Sequence, residues 1–481
     1  MRKYIPICLI FIVSVFTDCA RNPVTGKKQV VLMSEAQEIS MGKEADPQIV
    51  AQFGLYEDSA IQNFIRTKGK QMAAISHRPK LDYEFRVLNS EVINAFAVPG
   101  GYVYFTRGIM AHFNSEADFA GVLGHEIGHI AHRHTVEQQR NAILGQLAII
   151  AGIVINPDLA RFAESASTGL QLLLLKNSRD AEREADQLGV EYSSKIGYDA
   201  SQMALFFTTL ERKTQGTEAA ELPEFLSTHP NPGDRNVTVS KLATEWKQKL
   251  NLTNPVVNRN TYLRRIEGMV YGEDPREGFR ENNVFYHPVL KFQFPTPANW
   301  NYQNTPQRVQ MAPKDGKALL MLMLAAGNSL QEAANNFVQQ HKLTPIETRN
   351  ITVNGMQAIY VIADQQPQQQ GQQALRTMSY LIQYNGNIYH LLGVSTLADF
   401  SSYVNTFSNT MQGFRSLTDP DKLNKKPERV RLKTVGSAMA LSQFLRQQNV
   451  SETRHEEHAI LNGMKLTDNL AAGTLVKIIA Q

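Results

Sequence analysis

His125-Glu126-Ile127-Gly128-His129 is the one stretch of this chain whose residue types and spacing suggest chemistry. On a helix, residues four apart share a face with about 5–6 Å between Cβ atoms, so both imidazoles can reach one cation. Glu126 is turned about 100° from His125. It therefore stands beside the cation, where a carboxylate can take a proton from a water the cation holds. Zinc on two histidines and one carboxylate keeps a position open, and its water ionises near pH 7. The plain alternative is a helix with two packed or solvent-facing histidines. Against it, Phe119, Val122 and Leu123 continue the histidine face as an apolar stripe, so the imidazoles should be buried, and buried polar groups need partners. Gly121, Gly124 and Gly128 each weaken a helix by about 1 kcal/mol relative to Ala, a cost that makes sense where another backbone must approach closely.

The elements that must position these groups follow from local signals. Ser115-Glu-Ala-Asp118 resembles a capping box and predicts a helix from about Glu116 to Gln138. Ser34 to Gln37 opens a helix that stops near Gly54, and Asp58 to Ser76 reads as a second. Tyr83 to Leu88 and Gly101 to Thr106 read as strands. Asn177 or Ser178 caps a helix ending near Gly197, and Asp199–Arg212 and Asp234–Leu250 are helical. A third ligand must come from outside the pentad. The extended three-histidine pattern is absent, and His132 and His134 read as structural. Glu182 and Asp186, one turn apart on the Ser178 helix, share a face. One could bind zinc while the other orients a ligand histidine through its free ring N–H. Taken alone, the same run reads as a solvated charged face.

A His-Glu-x-x-His helix followed some fifty residues later by Glu182-x-x-x-Asp186 resembles the HtpX and CAAX-prenyl-endopeptidase family of zinc peptidases. The similarity is nearest to its soluble periplasmic BepA/LoiP-like members. Asn94-Ala-Phe-Ala-Val-Pro-Gly-Gly-Tyr-Val-Tyr-Phe-Thr-Arg-Gly108 and Ser227-Thr-His229-Pro, with Arg235 beyond, match it too. The resemblance covers about residues 20 to 250. It implies one zinc per chain on His125, His129 and Glu182, with Asp186 behind the ligands and Glu126 as general base. Glu184 competes as a carboxylate, but two residues from Glu182 it lies on another face. The resemblance also brings the His229 loop near the metal, to stabilise an oxyanion or to fill the open position at rest; otherwise His229 is a loop or capping residue. Arg235 could bind Glu182 or Asp186, or lie on the surface. Asn94, Gly101, Tyr102, Val103 and Tyr104 are the candidate substrate residues, if Gly101–Thr106 lies along the cleft as an edge strand to which an extended peptide adds. The alternative is a core strand with no substrate role.

The 481 residues carry 49 Lys+Arg against 45 Asp+Glu, a net +4. That balance, with no long basic run, points away from nucleic acid. Both cysteines, Cys8 and Cys19, lie at the N-terminus, so zinc ligands must be His and carboxylates. Arg2 and Lys3 before an apolar run to Phe16 read as a signal peptide, residues 1–18. Cys19-Ala-Arg-Asn-Pro-Val-Thr-Gly resembles the mature start of a bacterial lipoprotein, with Cys19 taking the lipid. Phe16-Thr17-Asp18 departs from the small residue usual before that cysteine, which leaves plain secretion as the alternative. The runs Leu144–Ile155 and Leu170–Leu175 are packed core, or else a lid or a surface for membrane or client.

The fold class expected is α+β. A mainly helical zincin-type protease domain with a small sheet spans 19–270. An α/β domain of 285–417 follows, with a hairpin at Asp315-Gly316, a Gln-rich loop at Gln365–Gln373 and a helix at Leu397–Gly413. A module of 428–481 resembles the second half of a LysM fold, although Val435-Gly-Ser-Ala stands where Gly-Asp-Thr is usual. The function expected is a periplasmic endopeptidase, anchored to the outer membrane, that cleaves misfolded or stalled envelope proteins. Its partners would be those proteins, the outer-membrane assembly machinery and peptidoglycan. The rival is a chaperone or assembly factor for outer-membrane proteins with latent proteolysis.

Overall fold

The structure, a computed structural model, describes residues 19–30, 33–134, 177–214, 235–367 and 371–481, with scattered positions between 136 and 229. The expected signal peptide, nearly all of the apolar runs between 142 and 175, and residues 230–234 of the His-Pro loop lie outside the described residues.

The N-terminal half orders its elements as α1 (Glu35–Phe53), α2 (Ser59–Ala73), β1 (Glu84–Leu88), β2 (Ala95–Val98), β3 (Tyr102–Thr106), α3 (Arg107–His112), α4 (Glu116–His132), α5 (Arg179–Lys195), α6 (Ser201–Thr214), α7 (Arg235–Lys249) and α8 (Arg259–Ile266). Local chemistry sets their ends. Ser34 and Gln37 cap α1 reciprocally, and the Ser115 and Ser178 hydroxyls accept the Asp118 and Ala181 amides at the starts of α4 and α5. Helix α4 stops at His132, short of the expected Gln138. Arg133 turns left-handed (φ 63°), and its guanidinium donates to Glu38 and to the Met33 carbonyl at 3.0 and 2.8 Å. No Gly or Asn marks that stop in the sequence.

β3 lies between β1, its parallel neighbour, and β2, its antiparallel one. The expectation of an edge strand at Gly101–Thr106 is therefore overturned. The hydrogen bonds of β3 are taken on both sides, and β1 and β2 are the outer strands of this three-stranded sheet. The apolar stripe of α4 is buried against this layer. Phe119 meets Phe64 and Phe105 with ring centroids 4.9 and 5.1 Å apart, and Val122 and Leu123 are fully buried.

The second half is led by β4 (Val270–Tyr271) and a seven-stranded sheet. Its strands are β5 (Asn301–Asn304), β6 (Arg308–Ala312), β7 (Ala318–Leu324), β8 (Thr344–Val353), β9 (Met356–Gln365), β10 (Leu375–Tyr384) and β11 (Asn387–Thr396), in the order β5-β6-β7-β11-β10-β9-β8. Every pairing is antiparallel. The expected α/β layering is thus not found, and this half is α+β. The reason is local: Asn354-Gly355 and Asn385-Gly386 take positive φ throughout, and two-residue turns of that kind join adjacent strands directly. Alternate residues serve opposite faces. Leu319 and Met321 share a core with Ala334 and Phe337 of α9 (Leu330–Gln340), while Leu320 and Leu322 pack with Phe407 and Met411 of α10 (Phe400–Gln412).

From 428 the chain runs β12 (Glu428–Thr434), two short helices (Leu441–Gln447 and His455–Leu461) and β13 (Leu475–Ala480). β12 pairs with both β13 and β4. The buried Lys477 ammonium reaches back to the carbonyls of Ala111 and Phe113 at 2.8 and 2.9 Å. Among the described residues, no helix is long and apolar enough to cross a membrane.

Candidate active site

α4 and α5 cross at a seam of small residues. A Cβ on Gly124 would stand 2.9 Å from the Gly189 carbonyl, and one on Gly128 would stand 3.2 Å from that of Ala185. This is the close approach that the glycines of α4 imply, and it sets the histidine face of α4 against the acidic face of α5. Nε2 of His125 lies 3.0 Å from Nε2 of His129. Glu182 spans the pair, with Oε2 3.4 Å from His125 Nε2 and Oε1 3.4 Å from His129 Nε2. His229 adds a fourth donor. Its Nδ1 is 3.2 Å from His125 Nε2 and 2.9 Å from Glu182 Oε1. Zinc bonds of about 2.0–2.1 Å at tetrahedral angles separate ligand atoms by roughly 3.3 Å, and the separations of 2.9 to 3.4 Å among these donors are of that size.

Behind the donors stands a buried charge lattice. His125 Nδ1 meets Asp186 at 2.9 Å, and Arg235 grips the same carboxylate through Nε and Nη2 at 2.8 and 2.7 Å. Arg235 Nη2 is also 3.3 Å from Glu182, and the guanidinium lies over the Phe207 ring at 3.8 Å. None of His125, Glu126, His129, Glu182, Asp186, His229 and Arg235 exposes more than 3% of its surface. Burial would lower the His125 imidazole, yet Glu182 and then Asp186 raise it to about 9. Burial would raise Glu182, yet His229 and His125 hold it well below the usual carboxylate range. The centre of the cluster thus favours a positive charge.

Glu126 is different. Burial raises its carboxyl above the ordinary range against the pull of His229 and His125. Among the described residues neither of its oxygens has a hydrogen-bond partner, and His229 Nε2 is 3.8 Å away. An unpartnered buried carboxylate one helical step from the donors is placed to accept a proton.

Other expected residues fall elsewhere. Glu184 faces away from the pair, 2.9 Å from His134 Nε2 and 3.5 Å from His132 Nδ1. Val103 is fully buried, and Tyr104 donates to Asp46 at 2.8 Å with its ring stacked on Phe96. Tyr102, Val103 and Tyr104 are thus parts of the central strand, and Gly101 stands in the turn before it. Asn94 stands immediately before β2, its side-chain oxygen buried and without a partner among the described residues. Cys19 begins a short strand paired with Lys28–Val30. Two contacts have no counterpart in the expectations: Phe225 stacked on His229 at 4.5 Å, and His134 Nδ1 at 2.9 Å from His129 Nδ1. Only the five-residue spacing from His129 to His134 hinted at the second.

Residues 59–243 match the profile of peptidase family M48. The chain carries an M48 peptidase domain. It is similar to a beta-barrel assembly-enhancing protease of Yersinia pestis, 29% identical over 263 residues that make up 52% of each chain. A putative beta-barrel assembly-enhancing protease of Vibrio cholerae is 32% identical over 186 residues, 37% of this chain and 38% of that protein. The mitochondrial metalloendopeptidase OMA1 of Arabidopsis thaliana is 32% identical over 181 residues, 37% of this chain and 36% of that protein. The chain spans about half, or less, of the length of the curated relatives it matches. Both helices that supply the donor cluster, and Arg235, lie inside the M48 segment.

Proposed function

We propose that this protein is a zinc-dependent endopeptidase of the cell envelope acting on misfolded or stalled envelope proteins. The observation that carries the reading is the set of four buried donor atoms, all within 4.8 Å of one another, beside the unpartnered Glu126 carboxylate. His125, His129 and Glu182 would hold one zinc. Bound there, it would supply Lewis acidity to a peptide carbonyl and acidify a water. Asp186 accepts the N–H of His125 Nδ1 and so turns the Nε2 lone pair inward. Arg235 balances Asp186 and Glu182. Glu126 takes the proton of the attacking water and returns it to the leaving amine, a task suited to its raised proton affinity. His229 occupies the fourth corner of the resting site.

The names of the Yersinia and Vibrio relatives support a role in outer-membrane protein assembly. Export to the periplasm and lipid attachment at Cys19 are supported by the N-terminal sequence. The strand–helix–helix–strand order after 428 supports a LysM-like module, either glycan-binding or, given the contacts of Lys477, a docking piece. Metal analysis with casein hydrolysis tests the reading. The expected result is zinc held tightly on His125, His129 and Glu182 in the parent and in Glu126→Gln, loss of that zinc in His125→Ala, and cleavage by the parent alone. Equal hydrolysis by Glu126→Gln ends the mechanism.

A further inference from the structure

A second donor cluster lies one turn beyond the first. His132, the last residue of α4, and His134 stack their rings at 4.9 Å and 8°, presenting nitrogens on the same side. Glu184 of α5 answers both, with one oxygen 2.9 Å from His134 Nε2 and 3.5 Å from His132 Nδ1. The two imidazoles are buried, while the Glu184 side chain is 47% exposed, so the cluster has a hard wall and an open, adjustable door. Two imidazoles and a carboxylate whose ligand atoms lie within 4.8 Å of one another are a donor set that suits zinc.

His134 ties this cluster to the first. His129 Nε2 faces the catalytic donors, so its proton belongs on Nδ1, which is 2.9 Å from His134 Nδ1. His134 Nδ1 must then accept, and its proton sits on Nε2, pointing at the Glu184 carboxylate. Donor and acceptor alternate without conflict from Glu184 through His134 to His129. A cation on His134 Nε2 breaks the alternation. It needs that lone pair, the Nε2 proton leaves to Glu184 or water, and a neutral His134 bound through Nε2 carries its proton on Nδ1, so two N–H groups would then face each other across 2.9 Å.

We propose that His132, His134 and Glu184 form a second, weaker zinc site whose occupation opposes the metal on His125, His129 and Glu182. The site stands by itself; only the antagonism rests on the proposed function. Coupling of this kind is reciprocal, so each zinc weakens the other, and excess zinc inhibits through His134.

The test is equilibrium dialysis of the full chain against zinc chloride, with metal content measured directly. The parent should hold one tight and one weaker zinc. His132→Phe keeps a ring stacked on His134 but removes a donor, and should hold only the tight zinc. His125→Ala should keep the weaker zinc, bound at least tenfold more tightly than in the parent because its rival is gone. Glu184→Gln is the second variant should His132→Phe not fold, and it too should lose the weaker zinc. In casein hydrolysis, zinc that inhibits the parent should be needed at ten times the concentration or more to inhibit His132→Phe. A single zinc in the parent, or a second zinc that both His132→Phe and Glu184→Gln retain, overturns the proposal and leaves the catalytic reading standing. Loss of the tight zinc alone is the failure of that reading instead.

Discussion

Replacing Gly124 with alanine puts a methyl group where α4 and α5 touch. The added Cβ would stand 2.9 Å from the Gly189 carbonyl oxygen and 3.0 Å from its Cα, against about 3.4 Å for ordinary contact. Both neighbours are backbone and cannot rotate away, so the helices must part by roughly 0.5 Å (3.4 − 2.9) at that point. His125 is the next residue, and Glu182 lies two turns before Gly189 on α5. The separation falls directly on the 3.4 Å spacings between Glu182 and the two imidazoles. Zinc sites hold their bond lengths within about 0.2 Å, so a shift more than twice that should weaken zinc binding about 10- to 100-fold. The fold itself should suffer little. Alanine gains about 1 kcal/mol of helix propensity, which offsets part of an overpacking cost of about 1–3 kcal/mol. The assay is competition for zinc against a chromophoric chelator, run beside urea unfolding of metal-free protein. Gly128→Ala, with 3.2 Å to backbone oxygen and to Leu188 Cβ, needs only about 0.2 Å and should lose less. Zinc binding by Gly124→Ala within twofold of the parent would refute the idea that this seam sets the ligand spacing.

His229→Ala empties the fourth corner of the site, where Nδ1 now stands 2.9 Å from Glu182. Casein cleavage should rise severalfold; lower activity would instead assign His229 to the reaction itself, and unchanged activity would deny it either role. Arg235→Met removes the guanidinium that Asp186 and Glu182 share and leaves His125 to balance them alone, at a cost of about 3–5 kcal/mol in metal-free urea unfolding. Saturating zinc should restore part of it, and an equal loss with and without zinc would argue against charge balance as the cause. Burial holds His390 down to about 3, against its ordinary 6.5. The unfolded chain takes the proton first, so the stability this group confers is complete above pH 6.5 and is lost as pH falls toward 3. The slope is about 1.4 kcal/mol per pH unit, or roughly 2 kcal/mol by pH 5. His390→Phe should shrink the loss of stability between pH 7 and pH 5 by that amount, and an unchanged slope would count against it.

Several elements were legible because their causes lie within a few residues of chain. The Ser34, Ser115 and Ser178 caps each act on an amide three residues on, and the four-residue spacing of His125 and His129 is itself the geometry of a helix face. The glycines of α4 announced a close neighbour without saying which. The antiparallel character of the second half has an equally local cause in Asn354-Gly355 and Asn385-Gly386, whose left-handed turns leave no room for a crossover helix, and the expectation of α/β layering overlooked it. The site as a whole was not legible in this way. That Glu182 rather than Glu184 faces the imidazoles, and that His229 and Arg235 come from more than forty residues further along the chain to meet it, depends on how α4, α5 and α7 pack. The central place of β3 depends likewise on β1, whose pairing brings together residues eighteen apart in sequence. Local rules govern which backbone shapes a segment can take. Which side chains share a cavity is decided by burial of apolar faces between distant segments, an energy that no single stretch of sequence contains.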